Sequence, residues 1–497
     1  MSVKCRLLLV SNRLPVTVER GAAGVTVQRS SGGLVRALGS LLRPMQVAWI
    51  GSCDGPPDEE VATALAAHPE AFGCELAPVF LDAEERALFY QGFSNEVVWP
   101  LFHDLQSRCN FDPRYWRSYR SVNQRFARAV LARLRGGAQP LVWVHDYHLM
   151  DVARELRAAG VRSRLAFFQH IPFPAPDIFA KLPWRAEVLT SLLEYDLLGF
   201  QTAHDVRNFT ACLRRYLPRS RVRRTHGVLS ATLDHRRANI AHFPISVDYR
   251  AFSARAATRQ AGARAERVRL ELGCEHIVLG VDRLDYTKGI PDRLRAFDDL
   301  LRRSPELHRK IVLLQIVVPS REEIPEYHGL RSEIEQLVSE INGRHSQPGW
   351  VPVQHFYRHL EPDDLLAYYR AADVCLVTPL RDGMNLVAKE YCAAKVDGNG
   401  VLVLSEFAGA AAQLANGALL VNPYHTEGVA DAIARACHMP AEERQRRMRH
   451  MRHLVRRFDV FRWAEAFVSA AADRSSAASD DVLPGIARLA SAAAPLH

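Results

Sequence analysis

Short apolar runs recur along the chain, and each stops at a polar or glycine-containing turn: LLLV before SNR, LVWV before HDYH, LAFF before QHIPFP, IVLG before VDRLDYTKG. Runs of this length and composition suit strands buried on both faces, and helix-like segments separate them. Strand alternating with helix predicts an α/β fold, a parallel sheet covered on both sides. Ligands bind such sheets beyond the carboxyl ends of the strands, so the polar turns should converge. A first set of elements runs to about Ile240, after which FPISVD, Phe243 to Asp248, makes a proline-containing exit from a strand. The Arg-rich helical stretch from Ala251 to Leu272 then leads to a fresh strand at His276 to Val281. Further strands are expected near Ile311 to Val317, Val351 to Phe356, Val374 to Val377, Val401 to Leu404 and Ala418 to Val421. The expectation is two Rossmann-like parallel-sheet domains facing across a cleft, residues 1–245 and 246–473, with the last helix able to pack back on the first. Residues 474–497, rich in Ala and Ser, read as a disordered tail.

Composition narrows this picture. A chain of 497 residues is too long for one hydrophobic core, and 48% hydrophobic with 24% charged residues is ordinary for a globular protein. The net charge of +9, with Arg greatly outnumbering Lys, is read either as favouring anionic small molecules or as a bias of composition. The basic clusters at Arg214 to Arg224 and Arg444 to Arg457 lack interleaved aromatics and any nucleic-acid reading motif, so they read as solvated helix faces and nucleic acid is not an expected partner. Nine scattered cysteines form no CxxC pair, which points to a reducing cytoplasm without structural zinc. The apolar run at the start is too short for a signal sequence, and none approaches the ~20 residues of a membrane span, so no membrane partner is expected.

The densest chemistry lies in Val374 to Tyr391, VCLVTPLRDGMNLVAKEY. A strand that turns through TPLRDG into a helix leaves the amides of Gly383, Met384, Asn385 and Leu386 without intrahelical acceptors. Such donors suit a diphosphate. Asp382 can reach a sugar hydroxyl, and Glu390, about two turns on, a ribose diol. In VDRLDYTKG, Arg283 and Lys288 follow a strand and can neutralise a departing diphosphate.

In the first half, Arg13 lies just past the first strand, and Ser31-Gly32-Gly33 opens a helical segment where glycine permits close approach to a phosphate. Neither GxGxxG nor GxxxxGK[ST] is present, which disfavours a simple dinucleotide enzyme and a P-loop ATPase. Ala87 to His103 is rich in aromatics for a polar, loop-like segment, and Tyr90 and Trp99 there have the amphipathic rings that bind sugars; core packing is the plain alternative for Trp99. WVHDYHLM brings His145, Asp146, Tyr147 and His148 to a strand end, but no cysteine or further spaced ligand accompanies them, so Asp146 reads as an acceptor from sugar hydroxyls and not as a metal ligand. His170, before Ile171-Pro172-Phe173-Pro174, is held by rigid chain.

SNRLPV, SGGL, YQGFSNEVVWPLFH, HDYHL, FFQHIPFP, LLGFQT, FPISVD, GVDRLDYTKGI, TPLRDGMNLVAKEY and VLSEFAGAA occur together and in this order. In these motifs, over roughly residues 6–470, the chain closely resembles the trehalose-6-phosphate synthase family. The resemblance implies a GT-B fold and retaining transfer of glucose from a nucleotide diphosphate, UDP favoured over GDP or ADP, to glucose 6-phosphate, with no metal and no cofactor. It implies that Arg283 and Lys288 hold the donor diphosphate with Gly32, Gly33 and the amides of Gly383, Met384, Asn385, Leu386 and Val387, and that Glu390 takes the ribose. His170 and Asp382 would bind the transferred glucose, and Asp146 would lie between the two sugars. Arg13, Tyr90, Trp99 and Arg321 would form the acceptor pocket. The alternatives are a related transferase with another acceptor, giving a glucosylglycerol phosphate or cyclitol product, and a non-catalytic sugar-phosphate sensor; a homo-oligomer is compatible with all three. If cations and amides supply the positive charge, turnover survives a strong chelator. Complete loss after chelation, restored by one added metal, would refute that electrostatic scheme.

Overall fold

The computed structural model describes residues 7–21, 24–29, 47–55, 57–66, 73–134, 139–225, 227–321 and 324–472. Gly32, Gly33 and the Ala/Ser-rich tail therefore lie outside the described residues. Ser246–Asp459 form one compact unit, and the described residues on either side of it form the other.

The first unit is built on strands β1 (Leu7–Arg13), β2 (Val16–Gly21), β3 (Gly24–Arg29), β4 (Val47–Asp54), β5 (Glu75–Leu81), β6 (Leu141–His145), β7 (Leu165–Phe168), β8 (Leu197–Phe200), β9 (Arg221–Thr225), β10 (Val228–Leu233) and β11 (Arg236–His242). Nine of them form one sheet in the order β5-β4-β1-β6-β7-β8-β11-β10-β9, while β2 and β3 pair separately. The sheet is parallel from β5 to β11, and only the last three strands run as an antiparallel meander. The central runs LLLV, LVWV and LAFF are buried throughout, as residues covered on both faces must be.

The second unit carries β12 (His276–Arg283), β13 (Ile311–Val318), β14 (Val353–Tyr357), β15 (Val374–Val377), β16 (Val401–Ser405) and β17 (Leu419–Val421). All six are parallel, in the order β14-β13-β12-β15-β16-β17. Counted within the unit this is 3-2-1-4-5-6, the doubly wound order, and the first six parallel strands of the other unit, β5-β4-β1-β6-β7-β8, repeat it. Winding reverses between the first and fourth strands, at β1/β6 and at β12/β15. Right-handed connections that leave the two strands at such a reversal diverge to opposite faces of the sheet, and a crevice forms where they part.

Three sequence expectations change. Ala87 to His103 is helical: Ala87–Val98 is a π-helix that continues as the α-helix Trp99–Phe102. Its buried Phe89, Phe93 and Val97 recur every fourth residue, a stripe that the intervening Gln91, Gly92, Ser94 and Asn95 concealed. Arg13 is the last residue of β1, because the strand runs on past a register shift after Val10. Of the first basic cluster, Arg221–Thr225 is the sheet-edge strand β9, where charge hinders pairing with another chain. The second cluster is a helix, Ala441–Arg457, burying Met448, Met451 and Val455.

The helix Val460–Ala472 belongs to the first unit, although it follows the second in sequence. Phe467 is fully buried; it stacks on Trp143 at 4.6 Å and meets Phe168 and Phe243 edge-on at 5.5 and 5.1 Å. Gly199 in β8 gives it room, since a Cβ there would come within 2.5 Å of the Phe467 ring. Phe467→Ala should lower the unfolding free energy by about 3–5 kcal/mol, read as a lower urea midpoint for the first unit at unchanged m-value.

Candidate active site

At the β1/β6 reversal, Arg13 leaves the end of β1 exposed, with its guanidinium 5.0 Å from the centre of the Tyr90 ring. Tyr90, from the π-helix, stacks on His148 at 5.8 Å, and His148 sits in the short turn Tyr147–Leu149 after β6. Cation and rings therefore form one wall. Trp99 is 5% exposed, its ring 4.3 Å from that of His103 and 5.8 Å from that of Tyr147, so it backs this wall from the core.

Asp146 follows β6 directly, with φ 73° and ψ 166°. That region is essentially reserved for glycine and costs another residue about 1–3 kcal/mol. The strain is offset by hydrogen bonds: the Asp146 amide donates to the Phe168 carbonyl (2.8 Å), and Asp146 Oδ1 accepts from the His170 amide (3.1 Å). His145 Nδ1 and His170 Nε2 lie 3.1 Å apart, so one ring donates to the other. Burial pushes His170 down to about 3, and burial followed by its neighbour's charge holds His145 far below the ordinary imidazole range. Both rings are neutral at pH 7, and His170 serves as a neutral polar partner.

At the β12/β15 reversal, Arg283 ends β12 exposed, and Lys288 follows in the short turn Tyr286–Lys288. Gly289 has φ 62°, and a Cβ on it would lie 2.6 Å from the Thr378 carbonyl, so only glycine lets this turn lie against the chain leaving β15. Lys288 Nζ donates to Asp382 Oδ2 at 2.6 Å, and Asn385 Nδ2 donates to the same oxygen at 3.1 Å. Asn385, at φ 71° and ψ 94°, caps the helix Leu386–Ala394 through Oδ1 and the Ala388 amide. The amides of Gly383, Met384, Asn385, Leu386 and Val387 make no hydrogen bond among the described residues. Glu390 is buried in that helix and accepts from the Tyr369 hydroxyl at 2.8 Å.

Arg321 belongs to this second unit, whereas Arg13, Tyr90 and Trp99 belong to the first. Its φ is 52°, and Nη1 donates to the Tyr327 hydroxyl (2.6 Å) and Asp285 Oδ2 (3.4 Å). Burial alone would raise the Asp285 carboxyl, but Arg321, Lys288 and Arg283 outweigh it and hold the group below the usual carboxylate range. Asp285 also accepts from the Thr287 amide and hydroxyl, so one buried anion orders both cation-bearing turns.

Asp285 stood inside a quoted motif and received no role. Arg293 was missed altogether: fully buried, it binds Asp282 (2.5 Å), Thr378 (3.0 Å) and Gln315 (3.1 Å), tying β12 and β13 to the chain after β15. Its signal was available, because Ile290, Arg293, Leu294, Phe297 and Leu301 share the helical stripe that faces the core. No group of three or more His, Cys, Asp or Glu among the described residues is placed to hold a metal, and no described helix is long and apolar enough to cross a membrane.

Two doubly wound units, each presenting cations, carboxylates or open amides where its winding reverses, define the GT-B class of nucleotide-sugar-dependent glycosyltransferases. Within that class the chain belongs to glycosyltransferase family 20, whose model matches residues 5–473. It is 44% identical to the trehalose-6-phosphate synthase of Mycobacterium sp. (strain JLS) over 95% of this chain and 97% of that one. It is likewise 44% identical to the trehalose-6-phosphate synthase of Mycolicibacterium vanbaalenii, over 94% and 96%. Among solved structures, the alpha,alpha-trehalose-phosphate synthase (UDP-forming) of Burkholderia xenovorans in complex with glucose-6-phosphate superposes with a TM-score of 0.84 at 34% identity, covering 94% of this chain and 100% of that one. An E. coli protein of this kind bound with UDP-2-fluoro glucose also gives 0.84, at 35% identity over 94% and 98%.

The buried imidazoles make stability depend on pH. An unfolded histidine titrates near 6.5, so between about pH 6.5 and 3 the unfolded chain takes up a proton that folded His170 refuses, and the fold weakens as pH falls. Thermal unfolding should show a loss of up to about 1.4 kcal/mol per pH unit from this group, which His170→Gln removes; an equal acid sensitivity in that variant would contradict the assignment.

Proposed function

We propose that the protein transfers glucose, with retention of configuration, from UDP-glucose to glucose 6-phosphate, forming alpha,alpha-trehalose 6-phosphate. The observation that carries the reading is the pairing of Lys288 with Asp382 beside the open amides of Gly383 to Val387, at the winding reversal of the second unit. A cation and a row of amides meet a diphosphate, while the carboxylate beside them meets a sugar hydroxyl. The relatives named for this reaction support it, as do the neighbours described with glucose-6-phosphate and UDP-2-fluoro glucose.

In this reading Arg283, Lys288 and the amides hold the donor diphosphate, with Gly32 and Gly33 contributing, and Glu390 takes the ribose. Asp382 and neutral His170 hold the transferred glucose, and Asp146 accepts from hydroxyls of both sugars. Arg13, with Tyr90 and Trp99 behind it, and Arg321 receive glucose 6-phosphate. No nucleophilic carboxylate is needed. The acceptor hydroxyl attacks from the face that the diphosphate leaves, the departing diphosphate oxygen takes its proton, and Arg283 and Lys288 stabilise charge that grows along the way.

The test is a panel of UDP-, GDP- and ADP-glucose with glucose 6-phosphate, with released nucleotide and the product's anomeric configuration as readouts. Trehalose 6-phosphate from UDP-glucose is expected; free trehalose with inorganic phosphate from the purified protein would contradict the reading. A hydrogen bond to a charged group contributes about 1.5–3 kcal/mol, so Arg321→Ala should raise the acceptor KM roughly ten- to a hundredfold with donor affinity nearly unchanged. Arg283→Ala should weaken donor binding and slow kcat. If Arg321→Ala instead lost the donor and spared the acceptor, the division of the two phosphates between these arginines would be wrong.

A further inference from the structure

The motif VLSEFAGAA, residues 403–411, has no part in the chemistry above, yet it touches the turn that carries the open amides. The chain leaves β16 at Ser405, whose Oγ accepts from the Phe407 amide at 3.1 Å and whose carbonyl accepts from the Ala408 amide at 3.1 Å. It then runs back beside the turn after β15. The Asp382 amide donates to the Phe407 carbonyl (3.2 Å), the Gly409 amide to the Asp382 carbonyl (3.0 Å), and the Ala410 amide to the Met384 carbonyl (2.7 Å). The two backbones are almost in contact: a Cβ on Gly409 would lie 1.8 Å from the Gly383 carbonyl oxygen and 3.0 Å from Met384 Cα.

These bonds fix which way the open amides point. In a planar trans peptide the C=O and the following N–H are antiparallel. Turning the Asp382 carbonyl onto Gly409 therefore turns the Gly383 N–H away from the strap, and turning the Met384 carbonyl onto Ala410 does the same to the Asn385 N–H. At its far end the strap enters the short helix Ala411–Leu414, where Gln413 Oε1 accepts from Lys389 Nζ at 2.7 Å. Lys389 is buried in the helix that the turn opens into, so turn, helix and strap close into one loop of contacts.

We propose that the 405–413 strap positions the donor site. Gly409 is the positioning residue that aims the Gly383 and Asn385 amides at the diphosphate, and the Lys389–Gln413 bond latches the strap in place. This rests on the reading that a diphosphate binds at residues 383–387. A side chain at position 409 would push the strap off the turn and release both peptide planes, and loss of the latch would loosen them less.

The test uses the full chain with Gly409→Ala, Gln413→Leu and Gln413→Glu. Steady-state kinetics with UDP-glucose would be combined with inhibition by UDP, pyrophosphate and uridine. Gly409→Ala is expected to weaken UDP-glucose, UDP and pyrophosphate by roughly ten- to a hundredfold, because two hydrogen bonds to a charged group are misaimed. Uridine inhibition and acceptor KM should stay within about twofold, a pattern that a general loss of packing would not give. Gln413→Leu is expected to show the same selectivity at roughly three- to tenfold, and Gln413→Glu, which keeps an acceptor for the ammonium, to restore it. Should Gly409→Ala fail to fold, the two Gln413 variants decide: unchanged pyrophosphate inhibition in Gln413→Leu overturns the proposal. Arg283→Ala separates the two levels. If it loses UDP and pyrophosphate while the strap variants do not, the positioning role alone falls; if it too binds both normally, the diphosphate assignment falls and the positioning role with it.

Discussion

The constraint on which the rest depends is the reversal of winding in each parallel sheet. Parallel strands need right-handed crossovers, so a sheet extended in both directions from its first strand must send successive helices to opposite faces. The reversals at β1/β6 and at β12/β15 are where a sheet wound in this order admits a ligand beyond its strand ends. Arg13 and Asp146 flank the first reversal; Arg283, Lys288 and Asp382 flank the second.

The second unit satisfies its buried charges in two ways. Arg293 is sealed in the core with Asp282, Gln315 and Thr378, so its charge is satisfied and its role is to hold strands and turns together. Asp285 instead keeps its charge because Arg321, Lys288 and Arg283 surround it. A buried anion among three cations fixes where those cations stand, yet leaves net positive charge to meet a phosphate. In the first unit the solution is neutrality: burial keeps His145 and His170 uncharged and lets them bond to each other.

Backbone strain marks the same two places. Asp146 and Asn385 both carry positive φ without being glycine, and both stand where a strand end turns toward the site. A glycine would relieve the strain but would remove the carboxylate at one position and the helix cap at the other. At Gly409 the requirement is opposite: what matters there is the absence of a side chain, since two backbones meet at a distance no Cβ allows.

Much of this was legible in the chain alone. Apolar runs such as VCLV and LAFF coincide with β15 and β7, because a strand buried on both faces leaves an uninterrupted mark in sequence. TPLRDGMN was readable as a strand-turn-helix with open amides, since those amides follow from where the helix begins. The π-helical course of Ala87–Val98 and the edge strand β9 were decided by packing, because each depends on which distant surface the segment meets. Likewise the sequence determined which charged residues follow strand ends. Only the tertiary structure decided that Lys288 meets Asp382, that Arg321 meets Asp285 and that Gly409 lies against Gly383, because hydrogen bonds and close contacts between residues tens of positions apart are set by strand order and register, which local pattern does not encode.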